Sequence, residues 1–202
     1  MQSVTRQNDI DKMSTKETKE GLMKYRRSRT KGATYFFTVL TYKRKRILCK
    51  TDNVKIIKEA FRHVALQRPF LVDAFVMLPD HIHCIWTLPD DDNDFSTRWR
   101  LIKGYFTRRC DKKYRDEQSD NMQKKCLQGI WQQRFWEHTI RSDRDFAAHV
   151  DYIHYNPVKH GLVKKPRDWE HSTFNKYVKA GVYDINWGTT EEMIFEDSVG
   201  NE

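Results

Sequence analysis

The stretch MLPDHIHCIWTL, Met77 to Leu88, decides how the chain folds. Pro79-Asp80 reads as a turn, and the residues after it alternate like a β-strand. Ile82, Cys84, Trp86 and Leu88 fall on one face of that strand, His81, His83, Ile85 and Thr87 on the other. The first set is strongly apolar and needs a core. The two histidines then project together from the opposite face, near enough to converge on one cation. A His-x-His pair alone has two readings, a metal site or two structural imidazoles on a sheet.

Working outward, Phe70 to Leu78 supplies the partner strand of this turn, which makes an antiparallel hairpin. Upstream, Thr34 to Leu40 (TYFFTVL) is rich in β-formers and is closed by the basic turn Lys43 to Arg46. Between these strands Val54, Ile57, Phe61, Val64 and Ala65 recur at helical spacing, with Asp52 or Asn53 as the cap. Downstream, the acidic loop Asp90 to Asp94 leads into a helix capped by Ser96 that runs through Trp99, Ile102, Lys103 and Phe106. Glu117 to Gln128 reads as a polar loop, and Arg134 to Ile140 alternates as a fourth strand. Ser142-Asp-Arg-Asp145 has the form of a capping box and opens a helix through Phe146, His149, Val150 and Ile153. The order β-α-β-β-α-β-α predicts an α+β fold, a mainly antiparallel sheet with packed helices.

Three regions are expected. Residues 1–31 form a basic, polar arm without apolar periodicity, residues 32–187 a single domain, and residues 188–202 an acidic tail. The tail carries Glu191, Glu192, Glu196, Asp197 and Glu202. It reads as a solvated segment or as an internal mimic of DNA folded over a cationic cleft.

Thirty-seven Lys and Arg against 28 Asp and Glu leave the 202-residue chain with a formal charge of +9, which favours an acidic partner, nucleic acid first. Aromatic residues sit beside cations, as in Tyr25-Arg26-Arg27, Arg98-Trp99-Arg100 and Arg134-Phe135-Trp136. Such pairs suit stacking on bases with cations on phosphates, or a core whose rim is covered by basic stems. Cys49, Cys84, Cys110 and Cys126 show no CxxC spacing and follow no apolar signal segment, so a reducing, cytoplasmic compartment is expected. No apolar run approaches the ~20 residues of a membrane span, and a membrane partner is not expected.

Chemistry concentrates in Asp151-Tyr-Ile-His-Tyr-Asn-Pro157. Tyr152 and Asn156, four residues apart, share a helical face. A tyrosine hydroxyl can attack phosphorus when a cation polarises the phosphate and the phenol loses its proton. Asn156 can offer an amide oxygen to the same cation. A second reading makes Asn156 the cap of a turn over Pro157 to His160, stopped by Gly161. The residue before a proline avoids helical geometry, which leaves the alignment of Asn156 open.

These blocks resemble the REP-associated tyrosine transposases, a branch of the IS200/IS605-like single-tyrosine transposases in the HUH endonuclease superfamily. The resemblance runs from Tyr25 to about Trp187. It rests on TYFFTV from Thr34, RPF from Arg68, LPDHIHCIWTLP from Leu78, FSTRWR from Phe95 and RFWEH from Arg134. HVDYI from His149, NPVKHG from Asn156 and DWEHSTF from Asp168 complete it. The long arm before Met23 and the enlarged loop between Arg109 and Trp131 depart from the family pattern.

The resemblance implies a single HUH domain of ferredoxin-like (RRM-like) form. His81, His83 and Asn156 would ligate Mg²⁺ or Mn²⁺, and Tyr152, which follows Val150-Asp151, would be the nucleophile, with Tyr155 as its competitor. The implied reaction is cleavage and rejoining of single-stranded DNA through a 5′-phosphotyrosine intermediate, without nucleotide hydrolysis; no GxxxxGK[ST] loop is present. The implied substrate is a repetitive-extragenic-palindrome-like hairpin with a short single-stranded foot. Arg98, Arg100, Lys103, Arg108 and Arg109 would contact phosphates of the stem, and Arg26, Arg27 and Arg29 would reach the foot. A monomer, cytoplasmic and associated with the nucleoid, is expected. Two rivals stand beside this reading. One is a catalytically silent hairpin-binding protein of the same fold. The other is a small-molecule metallohydrolase, which the absence of a further His/Asp ligand series and the +9 charge disfavour.

Overall fold

The structure, a computed structural model, describes residues 30–115, 129–189, 193–195 and 199–200. The arm with Arg26, Arg27 and Arg29, the polar loop 117–128 with Cys126, and the tail's Glu191, Glu192, Glu196, Asp197 and Glu202 lie outside the described residues.

Four strands form one sheet: β1 (Thr34–Leu40), β2 (Leu71–Met77), β3 (His81–Thr87) and β4 (Trp136–Thr139). Their order is β2-β3-β1-β4, every pair antiparallel, as the hairpin and the alternation predicted. The helices are α1 (Thr51–Gln67), α2 (Phe95–Arg109), α3 (Asp143–Lys159) and the short α4 (Phe174–Lys179).

The register places Phe36 opposite Ile85, Thr38 opposite His83 and Leu40 opposite His81. One face of the sheet therefore carries Tyr35, Phe37, Val39, Ile82, Cys84 and Trp86, which pack with apolar residues of α1 and α2. Trp86 stacks on Trp99 of α2 with ring centroids 4.4 Å apart. The other face carries Phe36, Ala74, Val76 and Ile85, which meet Val150, Tyr152 and Ile153 of α3. Both faces of the central strands are covered.

Helix boundaries differ from expectation where packing overrides a local signal. The cap of α2 is Asp94, which accepts from the Thr97 amide at 3.0 Å; the helix begins before Ser96. That start aligns Phe95, Trp99, Ile102 and Phe106 on the buried side of α2. At α1 neither predicted residue caps. Lys50 occupies the cap position, and the Asn53 amide donates to the Ile47 carbonyl at 2.8 Å. Ser142 caps α3 as predicted, accepting from the Asp145 amide.

The proposed turn after Asn156 is also corrected, because α3 runs through Pro157 to Lys159. A proline this near the end forfeits one helical hydrogen bond and leaves only two residues beyond it. Gly161, at φ 63°, then takes the left-handed geometry that stops the helix. Tyr152 and Asn156 consequently keep their shared face. Among the described residues no helix is long and apolar enough to cross a membrane.

Candidate active site

β3 and α3 meet across the sheet face on which the histidines lie. His81 and His83 have ring centroids 4.7 Å apart, and the Tyr152 ring stands edge-on to His83 at 5.3 Å. Tyr152 comes from the middle of α3, and Asn156 follows it one turn later, fully buried. Tyr155, the other tyrosine of the motif, packs against Trp187 and Phe195 instead.

Each imidazole is oriented by a partner on its Nδ1. Asp80 Oδ1 lies 2.7 Å from His81 Nδ1, and Arg44 Nε lies 3.2 Å from Asp80 Oδ2. Burial pushes the Asp80 carboxyl up, but the His81 hydrogen bond and the charges of His81 and Arg44 outweigh it and hold the group below the usual range. Arg44 and its neighbour Lys43 both sit at φ 54°. That geometry costs a non-glycine residue about 1–3 kcal/mol, so local strain brings the guanidinium to Asp80. On the next inward position of β3, His83 Nδ1 lies 2.9 Å from Thr38 Oγ1, its cross-strand neighbour.

With both Nδ1 atoms engaged, Nε2 is the nitrogen by which either ring can coordinate. His81 Nε2 and Asn156 Oδ1 are buried. Two imidazoles whose far nitrogens are held by a carboxylate and a hydroxyl are donors of the type that suits a divalent cation, and Asn156, one helical turn from Tyr152, carries a buried amide oxygen. Thr38 and Asp80 escaped the sequence reading. The inward alternation of β1 was the signal for Thr38; Asp80 had registered only as a turn residue.

The tail reaches this site. Tyr152 is 1% exposed, and its hydroxyl donates to the Gly200 carbonyl at 3.0 Å. Phe195 stands perpendicular to the Tyr152 ring at 5.3 Å. A Cβ on Gly200 would fall 2.0 Å from the ring, and the residue sits at φ 74°, so only glycine fits. The solvated reading of the tail is thus corrected for Phe195 and Val199, which pack with the α3-side core, while Ile194 stays 95% exposed. Lys159, in the last turn of α3, donates to the same hydroxyl at 3.1 Å.

A second possible cation site, which the sequence reading missed, joins β4 to the start of α3. His138, Asp145 and His149 bring ligand atoms within 4.8 Å of one another. Asp145 also accepts from the Arg141 amide at 2.9 Å, and His138 Nε2 lies 2.9 Å from its carboxylate. His149 Nδ1 lies 2.9 Å from the Asp145 carbonyl. These bonds give the trio a structural role at the helix start. Burial pulls the His149 pKa below its ordinary value, against the raising effect of Asp145, and pushes His154 down to about 3.

The predicted phosphate-contacting residues divide. Arg98 is corrected: it is 1% exposed and donates to the carbonyls of Arg68, Pro69 and Asp94 and to the Asp92 carboxylate. Its guanidinium clamps the loop ahead of α2. Lys103 donates to the Gln132 carbonyl at 2.7 Å. Arg100, Arg108 and Arg109 are exposed, the last lying over the Tyr105 ring. All five belong to α2, which packs on the opposite sheet face from His81, His83 and Tyr152.

Residues 29–156 match the family described as "Transposase IS200 like". The REP-associated tyrosine transposase of Escherichia coli (strain K12) is 47% identical over 167 residues, 82% of this chain and 91% of that protein. The chain belongs to the REP-associated tyrosine transposases. It is accordingly a transposase, an enzyme that cuts and joins DNA strands. A relative from Haemophilus influenzae is 43% identical over 169 residues, 84% of this chain and 95% of its own. The fold matches a solved structure described as the REP-associated tyrosine transposase bound to a REP hairpin. That match has a TM-score of 0.71 and 43% identity, and covers 88% of this chain and 96% of the other.

Proposed function

We propose that this transposase cleaves and rejoins single-stranded DNA at palindromic repeat hairpins, with Tyr152 as nucleophile. The observation that carries the reading is the edge-on contact of the Tyr152 ring with His83, itself beside His81, where Asp80 and Thr38 anchor both imidazoles. Tyr152 Oη forms a bond to the scissile phosphorus as the bond to the 3′-oxygen breaks. One proton leaves the phenol and one reaches the 3′-oxygen. The 5′-phosphotyrosine link retains the bond energy, so a 3′-hydroxyl can reverse the step or join another strand.

His81, His83 and Asn156 would hold Mg²⁺ or Mn²⁺, which when bound supplies polarisation of the phosphate. Asp80 and Thr38 keep the rings turned for that task. The hairpin substrate is supported by the solved relative described as bound to a REP hairpin and by the +9 charge. Arg100, Arg108 and Arg109, with Arg26, Arg27 and Arg29 of the arm, are the proposed phosphate contacts. The catalytic domain spans residues 32–187, flanked by the arm 1–31 and the tail 188–202, and acts as a monomer in the cytoplasm, at the nucleoid.

The covered phenol favours one rival, a hairpin-binding protein that does not turn over. End-labelled hairpin incubated with Mn²⁺ and run on a denaturing gel decides between them. A protein-linked label that disappears in Tyr152→Phe supports strand cleavage. Tight hairpin binding without any adduct, in both the full chain and a chain ending at Thr189, supports the silent rival.

A further inference from the structure

We propose that Lys159 is a further catalytic residue, whose ammonium steadies the Tyr152 oxygen while it exchanges its proton for phosphorus. The inference rests on Tyr152 being the nucleophile. Residues 152, 156 and 159 stand at i, i+4 and i+7, one stripe along α3. Lys159 reaches that stripe only because the helix continues through Pro157. Its Nζ lies 3.1 Å from Tyr152 Oη and 4.7 Å from the ring centroid, so the ammonium sits at the oxygen-bearing end of the phenol.

Among the described residues, the hydrogen bonds to Gly200 and from Lys159 at that oxygen have opposite senses. Tyr152 donates its proton to the Gly200 carbonyl and accepts one from Lys159. Only a neutral phenol can make the first bond, whereas the second strengthens as the oxygen becomes anionic; charge-assisted bonds are roughly twice as strong as neutral ones. A strand entering at the Tyr152 oxygen would have to displace the Gly200 carbonyl. Lys159 stays, because it belongs to the helix that bears the tyrosine.

The bond changes balance without consuming the ammonium. In attack, phenol O–H and P–O3′ break, Tyr152 O–P and O3′–H form, and one proton in net moves from tyrosine to the departing 3′-oxygen. In rejoining, a 3′-hydroxyl attacks, tyrosine leaves as an incipient phenolate, and the same ammonium meets it until it regains a proton. A donor placed where charge develops in the transition state, and not in either ground state, accelerates both directions.

The test uses the full chain, a labelled hairpin and Mn²⁺, and reads adduct formation, resolution of purified adduct by an added 3′-hydroxyl strand, and hairpin affinity. Lys159→Met is expected to slow formation and resolution by a similar factor, on the order of 10²-fold, as for loss of one transition-state donor. Affinity is expected to stay within about twofold, too small a change to account for the rate. Lys159→Arg restores most of the rate, and methylammonium partly rescues Lys159→Ala. Wild-type rates in Lys159→Met overturn the proposal, as does a rate loss fully matched by lost affinity, which makes Lys159 a phosphate contact only. Wild-type protein that forms no adduct, either as the full chain or ending at Thr189, refutes the Tyr152 reading itself. A Tyr152→Phe protein that still forms one moves the nucleophile elsewhere and removes the role of Lys159.

Discussion

On the side of the sheet that faces α1 and α2, the strands present Tyr35, Phe37, Val39, Cys84 and Trp86. On the side that faces α3, the same strands present Phe36, Thr38, His81 and His83. Both sides are buried, but burial acts differently on them. The first gains from removing apolar surface, about 25 cal/mol per Å², and needs only shape. The second encloses imidazoles, a hydroxyl and an amide, and each such group costs free energy unless it is hydrogen-bonded. The pairs Thr38–His83 and Asp80–His81 meet that demand with partners that also fix ring orientation. Period-two alternation thus assigns stability mainly to one face and chemistry to the other, within single strands.

The sharpest way to break this division is a pair of substitutions on opposite faces. Tyr152→Phe should abolish covalent DNA attachment while hairpin affinity and melting temperature hold; a persisting adduct would put the chemistry elsewhere. Trp86→Ala should cost ~3–5 kcal/mol of folding stability in denaturant titration, as large aromatic truncations in cores do. If Trp86→Ala left stability intact, the α1–α2 side would not be the main core.

Smaller changes sharpen it. Thr38→Val keeps shape and removes the hydroxyl beside His83, so cleavage in Mn²⁺ should fall roughly 10–100-fold with little change in melting temperature. Gly200→Leu cannot coexist with the Tyr152 ring, so it should displace the tail and raise adduct formation several-fold, as should ending the chain at Thr189. Unchanged rates in both would mean that tail contact does not limit access.

The smallest effect is a pH dependence on the α3 side. Burial lowers the His149 pKa, so below about 6.5 the unfolded chain takes up the proton more readily than the folded one. Stability from this group is therefore complete above that pH. It declines as pH falls toward the lowered folded value, and His149→Gln should flatten that part of the acid-unfolding curve.

How much of this was legible in the sequence depends on which rules are local. Alternation in His81 to Thr87 and helical spacing in α1 and α3 depend on near neighbours, and they predict the sheet and its faces; the pairing of Tyr152 with the histidines is implied by the family resemblance alone. Arg98 misled because its sequence context, between Thr97 and Trp99, is that of a solvated cation; two of the carbonyls that satisfy it, those of Arg68 and Pro69, come from about 30 residues away. The six-residue α4 offers too few turns for a periodic signal, and its existence depends on tertiary contacts. Lys159 falls into line with Tyr152 only once the helix is known to pass Pro157, which the usual proline rule argues against.

The bond between Tyr152 and Gly200 joins positions 48 residues apart, and ribosomes add roughly 5–20 residues per second. The phenol therefore emerges from the ribosome seconds before the carbonyl that masks it. Each newborn molecule passes through an interval in which its proposed nucleophile has been made and its own cover has not.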